Sequence, residues 1–343
     1  MDQAILKYIP ALFSAALVAC GGGSDSTAAF GSGSNSTTSA PLSSSEGGNP
    51  SPGNPSNPGT SGFVHDASAR FSALSSLTAD SSGNLYALDA GKIRKIAASG
   101  DVTTLPGALN APRGLQFNDF YGTFFTLEND AVRQVAPDGT VSTLAMLPQG
   151  ARAITLDAAG YVQALVAQSD FASIFRVSPE GVLSTTYSGA PLSPSNSLAI
   201  AAAKVGGTLY VGDRGGTIHQ FPTGQAGSEY VTVAAGEVQD MALDLSGNLY
   251  ISEARYSYPS PGYCSSTGDC APRLVYAGIY KVAPDRTFTT LIQTNELGVA
   301  RIAVGSDGNL YAAFSGVHAI YKVLGSSELE LVAGTPGEAG SSD

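Results

Sequence analysis

The chain has 343 residues, a formal net charge of −11 and 13% charged residues. Its 43% hydrophobic content is sufficient for a large buried core, whereas the acidic balance argues against a nucleic-acid partner. The 41 glycines and 15 tyrosines favour short strands and tight turns over helices. The longest basic cluster, Lys92-Ile93-Arg94-Lys95, alternates as a solvated strand face would.

An apolar segment near the N-terminus, residues 8–19, is too short for a transmembrane helix but has the length of a signal-peptide core. It ends in Leu17-Val18-Ala19-Cys20, which resembles a bacterial lipobox. The resemblance implies a lipoprotein signal peptide over residues 1–19 and lipid attachment at Cys20. No aspartate directly follows Cys20, and by the same resemblance this favours the outer over the inner membrane of a Gram-negative cell envelope. The alternative is an ordinary cleaved signal with a chance cysteine.

A segment rich in Gly, Ser and Pro follows, so residues 20–60 are predicted to form a lipid-anchored disordered linker. Random-coil scaling gives it a span of roughly 35 Å. Residues 61–343 are predicted to form the folded domain.

The folded part begins with four short β-rich segments, residues 77–80, 84–89, 92–96 and 101–105, separated by turn residues. This pattern predicts an antiparallel meander. The first turn, Asp80-Ser-Ser-Gly83-Asn84-Leu85-Tyr86, recurs nearly unchanged at residues 244–250 and 306–311. Such a unit cannot bury its own apolar face, so its recurrence indicates a repeat architecture.

Five further units follow the same course, each with a glycine in its first turn. Together these turn glycines are Gly83, Gly122, Gly160, Gly207, Gly247 and Gly308. Most of them are about 40 residues apart, the size of one propeller blade. Units three and four deviate from the motif, and unit five holds an insertion. The sequence predicts an all-β fold, a six-bladed β-propeller of four-stranded antiparallel blades.

The repeated pattern consists of Gly-Asn-Leu-Tyr, an acid three residues later, and then Ile-x-Lys-Ile/Val, Asp-Gly and Val-x-Thr-Leu. This pattern resembles the NHL repeat. Residues 332–340 and 66–71 resemble the linker between such repeats. The resemblance implies a propeller and suggests that the two ends of the domain meet to complete one junction.

In such blades the first and third connections lie on one face of the ring, and the second connections and the links between blades lie on the other. On this second face we expect the residues that precede the first strands, which are Arg113, Arg152, Asp240 and Arg301. The residues that follow the second strands should lie there too, and these are Asp89, Glu128, Asp213 and Glu253. Together they could form a mixed-charge funnel for a small polar ligand, a cation or a peptide. Alternatively, the acids bond to turn amides and the arginines bridge blades.

The insertion in unit five, residues 254–277, is predicted on the same face. It contains Tyr256, Tyr258 and Tyr263, together with Cys264 and Cys270. The two cysteines do not have zinc-ligand spacing, and a disulfide between them would fix the loop as a recognition surface. A surface insertion without a partner is the alternative.

No catalytic motif was found in the folded part, and the three histidines lack metal-ligand neighbours. The preferred interpretation is a membrane-anchored, non-catalytic binding or scaffolding propeller without cofactor. Its partners would be the membrane, through the anchor, and an unknown protein, peptide or small polar ligand. The alternative comes from analogy with six-bladed propellers that are calcium-dependent lactonases or esterases. It is a metal-dependent lactonase, esterase-like hydrolase or lyase at the channel mouth, with oxygen ligands from Glu128, Asp213, Asp240 and Glu253. Three arginines on the same face oppose that alternative.

Overall fold

The computed structural model describes residues 68–168, 172–189, 197–203, 206–233, 236–257, 272–325 and 327–343. These residues form 24 strands in six four-stranded antiparallel sheets. First strands of consecutive sheets contact one another, and the first sheet contacts the last, so the sheets close into a ring. The fold is a six-bladed β-propeller, as predicted. No membrane-spanning helix occurs in this part of the chain. Residues 1–67, with the predicted signal, Cys20 and linker, lie outside it.

Blades one to three contain β1 to β12, and in each blade the first strand lies at the centre of the ring. Blade one consists of β1 (Leu74–Ala79), β2 (Leu85–Asp89), β3 (Lys92–Ile96) and β4 (Val102–Thr104). Blade two consists of β5 (Pro112–Asn118), β6 (Thr123–Glu128), β7 (Ala131–Val135) and β8 (Val141–Met146). Blade three consists of β9 (Ala151–Leu156), β10 (Val162–Ala167), β11 (Ala172–Val177) and β12 (Leu183–Ser188).

Blades four to six repeat this order. Blade four consists of β13 (Ser197–Ala202), β14 (Leu209–Asp213), β15 (Thr217–Phe221) and β16 (Ser228–Thr232). Blade five consists of β17 (Glu237–Leu243), β18 (Leu249–Ser257), β19 (Arg273–Val282) and β20 (Phe288–Thr294). Blade six consists of β21 (Ala300–Val304), β22 (Leu310–Phe314), β23 (Ala319–Gly325) and β24 (Glu328–Ala333).

The core lies between blades, because alternate side chains of each second strand point to opposite neighbours. In β18, Ile251 packs with Ile218 of blade four, whereas Tyr250 packs with Ile302 of blade six. Burial of each such apolar side chain contributes roughly 1.5–3 kcal/mol. A blade therefore depends on both neighbours for its core, and we expect that a single repeat would not fold alone.

The recurring turn is held by its aspartate. Asp80 Oδ1 accepts the backbone N–H groups of Ser82 and Asn84, and its Oδ2 accepts the Asn84 amide and the Tyr86 hydroxyl. Burial, followed by Asp80, raises the pKa of Tyr86. The same four bonds surround Asp244, where burial and that carboxylate raise the pKa of Tyr250 to about 12. The repeated motif is thus a structural hydrogen-bond cluster.

The two ends of the described domain meet, which confirms that expectation. Phe71 pairs with Ala339 in a parallel bridge, and the Arg70 N–H donates to the Ser342 carbonyl over 3.0 Å. Arg94 lies beneath them, 1% exposed, donating to the carbonyl of Ser342 and to Asp89. The prediction of a solvated basic strand face at residues 92–95 was therefore wrong for Arg94.

Candidate functional site at the channel mouth

A central channel runs between the six first strands and encloses about 470 Å³. We call the ring face with the turns at Gly83, Gly122, Gly160, Gly207, Gly247 and Gly308 the turn face. The opposite face, with the links between blades, is the link face. The channel mouth is the link-face end of the channel, lined by Arg113, Arg152, Arg214, Glu237 and Arg301. Apolar side chains such as Phe117, Leu156 and Leu243 line the other end.

β-bulges interrupt the first strands next to the mouth. The register shifts between Arg113 and Leu115 in β5, and at Arg152 in β9. Similar shifts occur in β1, β13 and β17, whereas β21 pairs with β22 without one. A bulge adds an unpaired residue and redirects neighbouring side chains, so the mouth is less regular than the turn face. The repeat pattern gave no signal for these bulges.

The arginines at the mouth differ in their partners. Arg301 donates to the Gln239 carbonyl, and Arg214 forms an ion pair with Glu237 at 3.4 Å. Arg113 and Arg152 are exposed, and their side chains have no hydrogen bond or ion pair within the residues described above. The structure therefore brings Arg113, Arg152 and Arg301 to one channel end. Of these three, only Arg301 forms a hydrogen bond with a described residue.

Asp240 also lines the channel, but it is held by the backbone. Its Oδ1 accepts the Met241 N–H and its Oδ2 accepts the Ile302 N–H, both at 2.9 Å. Burial raises the pKa of Asp240, while Arg301 and these two amides oppose the rise. The carboxylate therefore links blades five and six, and its two oxygens are already used in backbone hydrogen bonds.

Three of the predicted acids lie outside the channel lining and bond locally. Asp89 accepts the N–H groups of Ser72 and Ala73, and Glu128 accepts the Asn110 N–H and pairs with Arg133.

The third, Asp213, accepts the N–H groups of Gly215 and Thr217 at 2.8 Å and lies 3.7 Å from His219 Nε2. Although burial opposes them, His219 and the two amides hold the pKa of Asp213 below its usual value.

The fourth acid, Glu253, is fully buried and differs from the others. Its Oε1 accepts the Tyr276 hydroxyl at 3.4 Å, and its Oε2 has no hydrogen-bond partner. The carboxyl occupies the space where a Cβ on Gly236 would lie 2.0 Å from Oε1. Burial raises the pKa of Glu253 to about 7, against the lowering effects of Tyr276 and Arg255. The insertion replaces the tight turn whose amides satisfy Asp213 in blade four.

The insertion differs from its predicted form because it lengthens the hairpin. β18 continues to Ser257 and β19 begins at Arg273. Tyr256 is half-buried, and burial, followed by Glu237, raises its pKa while Arg301 lowers it. Because Glu237 and Arg301 line the mouth, this ring lies near it. Tyr258, Tyr263, Cys264 and Cys270 lie outside the described residues.

Arg214 and Glu237 line the mouth without having been predicted to do so. Arg214 directly follows the predicted Asp213 in a second connection, and Glu237 ends a blade link. Both connections belong to the link face by the rule used for the other residues, so their positions were available from the sequence.

Comparisons with known proteins support the fold alone. No family model matches the chain, and no curated protein matches its sequence. A gluconolactonase from Xanthomonas campestris aligns at TM-score 0.55 and 14% identity, covering 77% of this chain and 88% of its own. Virginiamycin B lyase from Staphylococcus aureus aligns at TM-score 0.51 and 14% identity, covering 76% and 84%. A luciferin-regenerating enzyme aligns at TM-score 0.53 and 12% identity, covering 80% and 95%. At such identities the likeness extends to the propeller and not to the activity.

Proposed function

We propose that this protein is a non-catalytic binding propeller that holds a small polar ligand at the channel mouth. The observation that carries the proposal is the difference between the acids and the arginines of the link face. The acids Asp89, Glu128 and Asp213 are used in bonds to amides and basic side chains. Arg113 and Arg152 line the channel, and no residue in the described part of the chain bonds to their side chains. Binding sites commonly combine a concave apolar wall with a few such polar groups.

The alternative, a calcium-dependent lactonase, esterase or lyase, draws support from the names of propeller neighbours. The donor set of this chain does not fit calcium, which takes six to eight oxygen ligands. Among the described residues, only Glu237 and Asp240 are acids that line the channel, and Arg214 and Arg301 lie against them. We therefore derive no reaction step through a metal.

Thermal unfolding in the presence of small molecules tests the proposal. We expect millimolar calcium to leave the melting temperature unchanged relative to magnesium, and at least one small polar ligand from a chemically diverse set to raise it. A calcium-specific rise that the Asp240→Asn variant abolishes would instead support the metal-dependent enzyme. Absence of binding by every class of ligand would reject the binding function.

We also propose that residues 1–19 are a lipoprotein signal, that Cys20 carries the lipid, and that the propeller belongs to the NHL-repeat proteins of the outer membrane. The lipobox-like ending at Cys20 and the Gly/Ser/Pro linker support this. Incorporation of labelled palmitate in a Gram-negative host should occur in the full chain and disappear in Cys20→Ala. Equal labelling of both would reject the anchor.

The insertion is proposed to flank the same site, with a disulfide between Cys264 and Cys270. Mass spectrometry of the non-reduced protein should recover both cysteines in one linked peptide. Removing residues 258–271 should preserve folding and weaken ligand binding. Unchanged binding would exclude the loop from the site.

A further inference from the structure

The channel mouth carries an excess of positive charge in an acidic protein. Four arginines and one acid, Glu237, line it, and Asp240 lies deeper in the channel. Glu237 is neutralised by Arg214, and Asp240 lies beside Arg301. The chain as a whole has 28 acidic and 17 basic residues. The mouth is therefore positively charged although the net charge of the protein is negative, and Arg113 and Arg152 supply the excess positive charge.

Several other arginines in the described blades have partners that Arg113 and Arg152 lack. Arg94, Arg133 and Arg176 each pair with a carboxylate on their own blade. Arg286 stacks over the Tyr230 ring on the turn face, at 5.3 Å. An unpaired guanidinium that is already solvent-exposed needs little desolvation to bind an oxyanion, and its planar fork can hold one through two hydrogen bonds.

The positions of Arg113 and Arg152 are also favourable for joint action. They lie near the same ends of β5 and β9, which are neighbouring first strands in contact. Bulges at both sites free the local backbone from regular pairing. Apolar residues such as Leu156 and Leu243 line the channel farther from the mouth. Low-dielectric walls of this kind strengthen the electric field of nearby charges.

We propose that the channel mouth binds the carboxylate or phosphate group of a small molecule through Arg113 and Arg152. This inference rests on the proposed binding function and names its ligand class. The cavity of about 470 Å³ accommodates a molecule of metabolite size. Carboxylate and phosphate share the chemistry that a guanidinium pair recognises, so titrations with each distinguish the two sources.

Calorimetric titration with sodium citrate, inorganic phosphate and neutral monosaccharides, at constant ionic strength, tests the inference. We expect citrate or phosphate to bind and the Arg113→Gln/Arg152→Gln double variant to bind it about tenfold more weakly or worse. Raising the sodium chloride concentration should weaken the wild-type interaction. The Arg286→Gln variant, which removes an arginine from the turn face, should bind as the wild type does.

Each result separates this inference from the broader function. Anion binding that is equal in the wild type and the double variant overturns the arginine site. Binding of neutral sugars without either anion also overturns it, but leaves the channel as a binding site. If neither anions nor neutral ligands bind, both proposals fail. Circular dichroism and the melting temperature of the double variant exclude unfolding as the cause of lost binding.

Discussion

The two faces of the ring use polar residues in different ways. On the turn face, Asp80 and Asp244 hold the same hydrogen bonds in different blades, and both oxygens of each of these two carboxylates have partners. On the link face, blades differ. Among the described residues, two blades carry arginines without a bonding partner, one blade has a lengthened hairpin, and Glu253 keeps an oxygen without a hydrogen bond. The regular face maintains the fold, and the irregular face is where a ligand would find unoccupied groups.

The largest expected effect comes from breaking the regular face. Replacing Asp80 with alanine removes four hydrogen bonds and leaves the buried Tyr86 hydroxyl without its acceptor. We expect the free energy of unfolding to fall by about 2–4 kcal/mol, measured by urea denaturation.

Asp138→Ala is the matched control, because Asp138 is an exposed turn acid on the same face that accepts the Thr140 N–H. Its loss should be small beside that of Asp80→Ala. Equal losses of unfolding free energy in the two variants would mean that the recurring turn stabilises the fold no more than an ordinary surface turn does.

The next effect concerns Glu253 and depends on pH. Folding raises the pKa of this buried carboxyl from 4.5 to about 7, so the folded state binds the proton more tightly than the unfolded chain. The stabilising contribution is complete below pH 4.5 and is lost as the pH rises through 7. Glu253→Gln should keep the Tyr276 contact and remove this loss. Relative to the wild type, it should gain roughly 2–3 kcal/mol between acidic and mildly basic pH.

Asp213→Asn provides a control of opposite sign. The pKa of Asp213 is lowered on folding, so its contribution is present at neutral pH and is lost in acid. Urea denaturation across the pH range should show the asparagine variant less stable than the wild type at neutral pH, with the difference shrinking in acid. Parallel pH profiles for Glu253→Gln and the wild type would contradict the assignment of Glu253 as an unsatisfied buried acid.

The smallest effect is expected at the unpaired arginines. The double variant Arg113→Gln/Arg152→Gln should change the free energy of unfolding by no more than about 0.5 kcal/mol, because both side chains are exposed and unbonded. Arg301→Gln should cost about 1 kcal/mol, since Arg301 donates to the Gln239 carbonyl and faces Asp240. Chemical denaturation of both variants decides the order. A greater loss in the double variant would make Arg113 and Arg152 structural.

The sequence predicts the propeller well, because the turn motif and its spacing are local signals. Even blade three, in which the motif is degenerate, has four strands, and Gln163 bonds to Asp157 where Tyr86 bonds to Asp80 in blade one. The hydrogen bond to the turn aspartate is therefore kept at that position although the residue that donates it differs.

The candidate site was less accessible because it depends on distant contacts. Alternation suggested that Arg94 is solvated, but the chain's other end covers it, more than 200 residues away. Glu253 keeps an oxygen without a hydrogen bond because the described part of its blade has no tight turn beside it to offer free amides. No sequence pattern around Glu253 predicts this.

The meeting of the two ends of the described domain has a consequence for how the blades can be connected. The Ser342 hydroxyl donates to the Ser68 carbonyl at 2.9 Å, and the Ser68 hydroxyl lies 3.5 Å from the carbonyl oxygen of Asp343. A short peptide could join these ends, and new ends could be opened at another blade link, such as that between β8 and β9. Such a circular permutant would keep every blade and move the seam. The packing of the blades therefore does not depend on which blade comes first in the sequence.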